Sequence, residues 1–286
     1  MVEREWREAS DLRTSRMALA VVLIAAAVLR FWAIRRGIPY AVQVDEPEIV
    51  ERAVNMMRSG SLHPHFFDYP GLSLYVQLVV SIVRFIAGAI GGEWSSLAQA
   101  AGGSFYLWGR FVTAAFGVAT VLLVYQAGMR WGARHALLAS GLMAVLPLHV
   151  RYSHYVLTDT PLTFFVALTF LLSLVAHERG TLGSFVAAGA AAGLAAATKY
   201  NGGVALIMVA ADFDATLSDS ILRAAGNGEH DPEGCVAFLA RGRGVSFPVA
   251  LLVKEGADSL DRILDQILID GRIASDRNQF CALLFR

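Results

Sequence analysis

The chain has 286 residues, of which 56% are hydrophobic and 17% charged, well below the roughly 25% charged residues of soluble domains. The formal net charge is +0, which gives no support for nucleic-acid binding. The mean hydropathy is +0.52, and the apolar residues are clustered rather than periodic. The low charge content, the hydropathy and this clustering predict an all-α, polytopic membrane protein. Two widely spaced cysteines, Cys235 and Cys281, predict neither a disulfide framework nor a metal site.

An arginine-rich polar segment, residues 1–16, precedes the first apolar segment, residues 17–34. By the positive-inside rule, this charge places the N-terminus in the cytoplasm and the following loop on the external face. A cleaved signal peptide is the competing interpretation, but the apolar core is long and no small-residue cleavage site follows it. We therefore expect a multi-pass protein of the cell membrane.

A polar loop, residues 35–71, follows, and its pattern predicts a helix along the membrane surface. Asp45 can cap this helix, Pro47 suits its first turn, and Gly60 can end it. The helix would hold Asp45 and Glu46 at the interface. Its apolar stripe has helical spacing and consists of Ile49, Val50, Ala53, Val54, Met56 and Met57.

Six further apolar segments bring the total to about seven: Leu72–Ile90, Ser104–Gly128, 136–150, 161–176, Leu182–Thr198 and 203–211. If Asp45 and Asp159 share one face of the membrane, an even number of crossings separates them, yet three segments lie between. Either the segment at 72–90 is re-entrant or interfacial, or the short segment at 136–150 does not fully cross.

The character of the chain changes after residue 211. Residues 212–286 contain no apolar run long enough to span a membrane, and two origins fit this polar tail equally. It is either a small cytosolic or peripheral segment, or the product of a frameshift or assembly fault near residue 211. One amphipathic helix is predicted within it, with apolar residues Leu260, Ile263, Leu264, Ile267 and Leu268.

Candidate catalytic groups begin with the pair Asp45 and Glu46. A carboxylate at a membrane face usually marks function, and it can act as a general base toward a hydroxyl. The competing interpretation is a helix N-cap with a first-turn acid. A second cluster, His63, His65 and Asp68, matches no strong metal motif, so an aromatic-rich interface anchor is favoured there.

Further candidates lie at the predicted membrane boundaries. Arg151, His154 and Asp159 gather before the segment at 161–176, where Arg151 can pair with a phosphate and Asp159 can orient a metal or a substrate. Asp159 also fits a helix start. Lys199 and Arg110 are cations beside or within apolar segments, for which an anionic lipid phosphate is a natural partner; a snorkelling lysine is the alternative for Lys199.

The order and spacing of these motifs resemble the C-type glycosyltransferase superfamily (GT-C), especially its branch of protein mannosyltransferases, aminoarabinose transferases and rhizobial lipopolysaccharide transferases. The likeness covers roughly residues 17–211. The matching segments are V-D-E-P-E at 44–48, F-F-D-Y-P-G-L at 66–72, the arginine at 110, S-H-Y-V-L-T-D-T-P-L-T-F-F at 153–165, and G-L-A-A-A-T-K-Y at 193–200.

The resemblance implies transfer of a sugar, with inversion, from a polyprenyl-phosphate donor to a hydroxyl on a lipid, glycan or protein, at the external face of a bacterial plasma membrane. It implies that Asp45 is the base, that Glu46 supports it, and that Asp159 organises the acceptor or a possible divalent metal. The implied substrate-binding residues are Lys199, Arg110, Arg151, Tyr69 and His154, and the metal-binding candidates are Asp45, Asp159 and His65.

Two departures from the family pattern leave alternatives. Family members usually continue with several more membrane helices, so an inactive, truncated fragment is one alternative. The Lys-Pro-Pro pattern of aminoarabinose transferases is replaced by Asp68-Tyr69-Pro70, which argues against aminoarabinose as the donor sugar.

A transporter or lipid flippase is a second alternative, although no internal repeat supports it, and a non-catalytic scaffold is a third. No nucleotide-binding motif is present.

Overall fold

The computed structural model of the chain describes residues 2–39, 43–100 and 102–226, and all regular secondary structure in these ranges is helical, as predicted. The α-helices are α1 (Val2–Phe31), α2 (Asp45–Ser59), α3 (Leu72–Ile90), α4 (Ser104–Gly128), α5 (Ala133–Val145), α6 (Pro147–Tyr152), α7 (Asp159–Arg179), α8 (Leu182–Thr198) and α9 (Leu206–Gly226). Short 3-10 turns lie at Leu97–Gln99, Met129–Trp131 and Tyr200–Ala205.

The chain divides into two compact units. The first, Met1–Glu178 with Gly183–Asp214, contains every residue of the sites described below. The second consists of Arg179–Leu182 and Ala215–Arg286. The amphipathic helix predicted around Leu264 lies outside the described residues.

The helices have the composition of membrane-embedded segments. Among helices whose side chains are described throughout, three are long and apolar enough to cross a membrane: α3, α4 extended to Trp131, and α7. Two shorter apolar helices are α5 and α8. Large apolar side chains cover the outward face of α3, where Val79, Val83, Ile86 and Ile90 are exposed. Such a surface favours lipid over water as its surroundings, and the protein is accordingly membrane-embedded.

Helix α2 confirms the predicted amphipathic pattern. All six residues of the predicted apolar stripe are buried, and they pack against Leu74 and Leu78 of α3. Gly60 ends the helix in the left-handed conformation, with φ of 68°. The predicted capping by Asp45 was wrong, because the helical backbone already begins at Val44 and no side chain caps the helix. Asp45 therefore lies inside the first turn.

The contacts of α3 bear on the number of crossings. Gln77 Nε2 donates to the carbonyl oxygen of Phe105 at 3.3 Å, Arg84 lies over the ring of Trp94, and Trp94 stacks on Phe105 with ring centroids 5.3 Å apart. Helix α3 therefore packs against the first turns of α4. Because α3 is also long and apolar enough to cross a membrane, both interpretations of the number of crossings stay predictions.

The segment predicted at 136–150 is two helices rather than one. Helix α5 has 13 residues, about 20 Å at 1.5 Å per residue, and it ends at Leu146, which has ψ of 112°. Pro147 then begins α6. A proline disfavours the helical conformation in the residue before it, which accounts for the break.

Candidate active site

Four of the predicted site residues, from four separate segments, come together at one end of the bundle. Asp45 lies in the first turn of α2, Tyr69 in the loop before α3, Asp159 at the start of α7, and Lys199 directly after α8. Lys199 Nζ donates to Asp159 Oδ1 at 2.9 Å, and the charges of Asp45, Lys199 and Asp159 all act on the Tyr69 phenol. We refer to these four residues as the Asp45 cluster.

Charge and burial set the protonation of the two proton donors in the Asp45 cluster. Burial, and then the charge of Asp45, raises the pKa of the Tyr69 phenol. The hydrogen bond that Lys199 donates to Asp159 raises the pKa of the Lys199 ammonium, while burial partly opposes this rise. At neutral pH the cluster therefore offers a neutral phenol and a charged amine beside two carboxyl groups.

Asp45 and Asp159 differ in their partners. Asp159 is held by Lys199, and their side chains are 39% and 31% exposed. Asp45 is half-buried, and its carboxylate makes no hydrogen bond or ion pair to the part of the chain that the structure describes. A carboxylate without a partner can accept a proton from a bound hydroxyl, whereas a fixed lysine can stabilise an anion.

Glu46 and Arg110 form a bidentate ion pair beneath the Asp45 cluster. Arg110 Nε donates to Glu46 Oε1 at 2.7 Å and Nη2 donates to Oε2 at 2.6 Å, with side chains 1% and 0% exposed. Arg110 Nη1 donates to the carbonyl oxygens of Ile34 at 3.0 Å and Arg36 at 2.8 Å. Glu46 Oε1 also accepts the backbone N–H of Val156 at 3.0 Å. The pair thus joins four distant segments of the chain.

This geometry bears on two predicted roles. Every nitrogen of the Arg110 guanidinium already donates within the protein, and Glu46 has no solvent access. Support of the base by Glu46 and phosphate binding by Arg110 stay predictions. In this conformation both side chains hold the first turn of α2, and therefore Asp45, in position.

Arg151 and His154 lie outside the Asp45 cluster. Both line a cavity of about 800 Å³ beside the end of α1, together with Arg36. His154 Nε2 donates to the carbonyl oxygen of Trp32 at 3.0 Å. The predicted substrate-binding residues are thus divided between the Asp45 cluster, the buried ion pair and this cavity.

The metal-binding candidates are not assembled. Asp45 and Asp159 are neighbours of Tyr69, but His65 lies in an exposed loop with its ring centroid 4.1 Å from that of His63. Within residues 2–39, 43–100 and 102–226, no three His, Cys, Asp or Glu side chains form a group that could hold a metal ion. Metal binding by Asp45, Asp159 and His65 therefore stays a prediction.

A second buried polar group was not predicted. Arg30 is fully buried, and it donates from Nη1 to the Ala144 carbonyl at 2.9 Å and from Nη2 to His149 Nδ1 at 2.9 Å. These bonds join α1 to α5 and α6. The only signal in the sequence is that Arg30 interrupts an otherwise apolar segment.

Comparison with known families supports the predicted resemblance. Residues 17–215 match the model of the dolichyl-phosphate-mannose-protein mannosyltransferase family, a family of the GT-C superfamily. The match contains the Asp45 cluster, the Glu46–Arg110 pair and the cavity that Arg151 lines. No curated protein matches the chain.

Proposed function

The chain belongs to the dolichyl-phosphate-mannose-protein mannosyltransferase family, and we propose that it transfers a sugar from a polyprenyl-phosphate donor to a hydroxyl acceptor with inversion. One observation carries this proposal: the Asp45 cluster combines a carboxylate that has no partner among the described residues with a lysine held by a second carboxylate, at one end of an apolar bundle. The acceptor hydroxyl needs a base, the leaving phosphate needs a cation, and the donor lipid needs an apolar surface.

Asp45 is the general base in this reaction. Its carboxylate takes the proton of the acceptor hydroxyl as the acceptor oxygen forms a bond to the anomeric carbon. The bond between that carbon and the phosphate oxygen breaks, and the phosphate leaves with the electron pair. Attack from the side opposite the phosphate inverts the anomeric centre. The ion pair of the neighbouring Glu46 keeps Asp45 in place during this step.

Lys199 stabilises the charge that develops on the leaving phosphate. Its raised pKa keeps it protonated at neutral pH, and its bond to Asp159 fixes the ammonium before the donor arrives. Tyr69, whose pKa is also raised, serves as a neutral hydrogen-bond donor to substrate. Electrostatic groups positioned in advance stabilise a transition state without reorganising during the reaction.

The arginine-rich first part of α1, up to Arg16, supports an external location for this chemistry. If the N-terminus is cytoplasmic, α1 crosses the membrane and delivers the loop that carries Asp45 to the external face. A lipid, a glycan or a protein on that side would then supply the acceptor hydroxyl.

Asp45→Asn tests the proposal. The full chain would be purified in detergent and given a radiolabelled polyprenyl-phosphate mannose donor with a mixed glycan and peptide acceptor pool. Loss of the base should lower transfer about 10²- to 10⁴-fold. The matched control is Glu48→Gln, which removes an exposed carboxylate from the same helix and should leave transfer unchanged. A folded Asp45→Asn protein with wild-type transfer would refute the assignment.

A further inference from the structure

A cavity of about 800 Å³ lies where the end of α1 meets α6. No member of the Asp45 cluster is among its lining residues. Its charged lining comes from the basic side chains of Arg36, Arg151, His154 and Arg110, Tyr155 adds a phenol, and none of the described lining residues is acidic. Since Glu46 neutralises Arg110, the charge available to a ligand comes from Arg36 and Arg151.

Both of these arginines are available to bind an anion as far as the described residues are concerned. Arg36 and Arg151 are exposed, and neither forms an ion pair with a carboxylate in the described part of the chain. By contrast, four other arginines each pair with a glutamate: Arg52, Arg84, Arg110 and Arg130. Unpaired cations on a membrane-embedded protein need a partner, and lipid phosphates are the anions that a bilayer supplies.

The remaining wall of the cavity is apolar and faces outward. Val28, Leu29 and Trp32 line it from the end of α1. Each of these three side chains is also exposed on the outer surface of the bundle, Trp32 by 74%. An exposed tryptophan at the end of a membrane helix is typical of the headgroup level. The cavity therefore combines cations with an apolar wall, as a lipid phosphate and the first methylenes of its chain require.

We propose that this cavity binds the phosphate group of an anionic membrane lipid. Arg36 and Arg151 hold the phosphate oxygens through charge-assisted hydrogen bonds, and Val28 and Leu29 contact the adjoining chain. The site is distinct from the Asp45 cluster, and this inference stands independently of the proposed transfer reaction.

The cavity is connected to the segment that carries Asp45. Ile34 and Arg36 are both lining residues of the cavity, and their backbone carbonyls accept hydrogen bonds from Arg110. Arg110 also holds Glu46, the neighbour of Asp45. A ligand that binds the folded protein stabilises it, so the lipid should also raise the temperature at which the full chain unfolds.

Brominated lipids provide a direct test, because bromine quenches tryptophan fluorescence at short range. The full chain would be placed in phosphatidylcholine nanodiscs that contain increasing fractions of brominated phosphatidylglycerol, or of brominated phosphatidylcholine for comparison. The signal of Trp32 is the difference between wild type and Trp32→Phe. We expect phosphatidylglycerol to quench this signal at much lower fractions than phosphatidylcholine does.

Substitutions then test the assigned cations. Arg36→Gln and Arg151→Gln should each weaken phosphatidylglycerol binding about tenfold. The matched control is Arg35→Gln, because Arg35 is an exposed neighbour that does not line the cavity, and it should leave binding unchanged. If the glutamine variants do not fold, Arg36→Lys and Arg151→Lys, which keep the charge, should retain the preference for phosphatidylglycerol, and loss of that preference counts against the proposal.

The remaining outcomes are equally decisive. Equal quenching by the two lipids, or equal weakening by Arg35→Gln and Arg36→Gln, overturns the proposal. Inorganic phosphate that displaces the lipid at the same concentration also overturns it, because the site would then recognise phosphate alone. Displacement by polyprenyl phosphate in preference to phosphatidylglycerol also overturns it, because the cavity would then belong to the donor of the proposed reaction. Retention of phosphatidylglycerol in the presence of polyprenyl phosphate supports the proposal.

Discussion

Replacing Glu46 by glutamine should destabilise the protein, whereas the same replacement two residues later, at Glu48, should have little effect. The Glu46 carboxylate is fully buried and accepts hydrogen bonds from Arg110 Nε, Arg110 Nη2 and the Val156 backbone N–H. Glu48 is exposed and pairs with Arg52 one turn further along α2. Glutamine at position 46 keeps the size of the side chain but leaves the Arg110 charge buried without a counter-charge.

Burial of the two ion pairs sets the expected loss of unfolding free energy in each variant. Removal of one partner from a buried ion pair costs about 3–5 kcal/mol, because the remaining charge stays buried and uncompensated. The glutamine carbonyl at position 46 can still accept one hydrogen bond from Arg110, so we expect a loss of about 3 kcal/mol. Loss of the exposed pair between Glu48 and Arg52 costs about 0.3–0.5 kcal/mol. The two variants should therefore differ by more than about 2 kcal/mol.

The assay is equilibrium unfolding of the full chain in mixed micelles, followed by helical circular dichroism as the fraction of denaturing detergent increases. A double variant, Glu46→Gln with Arg110→Gln, completes a thermodynamic cycle. Its destabilisation should be smaller than the sum of the two single effects. Both charges are absent from the double variant, so no charge is left buried without a counter-charge. Unfolding of Glu46→Gln at the same detergent fraction as Glu48→Gln would contradict the reasoning.

Three further predictions concern Lys199 and the packing around Arg30. Lys199→Gln should lower sugar transfer at least about tenfold, while the free energy of unfolding changes by less than about 1 kcal/mol, because the pair with Asp159 is partly exposed. The pKa of Lys199 is raised in the folded state. Its contribution to stability is therefore full below the ordinary lysine pKa of about 10.4 and is lost as pH rises through the folded value. The difference in unfolding free energy between wild type and Lys199→Gln should thus be constant from about pH 7 to 9. Gly117→Ala should cost about 1–3 kcal/mol, because a Cβ there would lie 2.8 Å from Arg30 Nε; Gly141→Ala, with no atom within 4 Å of the added Cβ, is the control and should not destabilise.

Helices with a strong local pattern were predictable from the sequence. The bounds of α3, α4 and α8 agree with the predicted apolar segments, and the stripe of α2 is buried as its spacing indicates. These features depend on residues within a few turns of one another, so composition and periodicity are sufficient to find them. The break at Leu146 was also predictable from local sequence, because Pro147 disfavours the helical conformation in the residue before it.

Partnerships between distant charges were not predictable. The family resemblance implied that Glu46 supports the base and that Arg110 binds the donor phosphate, but the two side chains bind each other across 64 positions of sequence. Arg30 and His149 likewise meet only in the folded chain. A charge near the membrane indicates that some partner exists, but it does not identify the partner, because helix packing decides which segments meet. The division between Asp45 cluster, ion pair and cavity therefore required the structure.

The placement of Asp45 and Glu46 shows why adjacent carboxylates can serve different ends. Successive residues of an α-helix point about 100° apart, so a helix that buries Glu46 against Arg110 directs Asp45 elsewhere. Glu46 is fully buried and paired, whereas Asp45 is half-buried and near Tyr69. A general base is effective only when it is held within hydrogen-bond distance of its proton. A bidentate ion pair one residue away supplies that constraint, and it does so without neutralising the carboxylate that would take the proton.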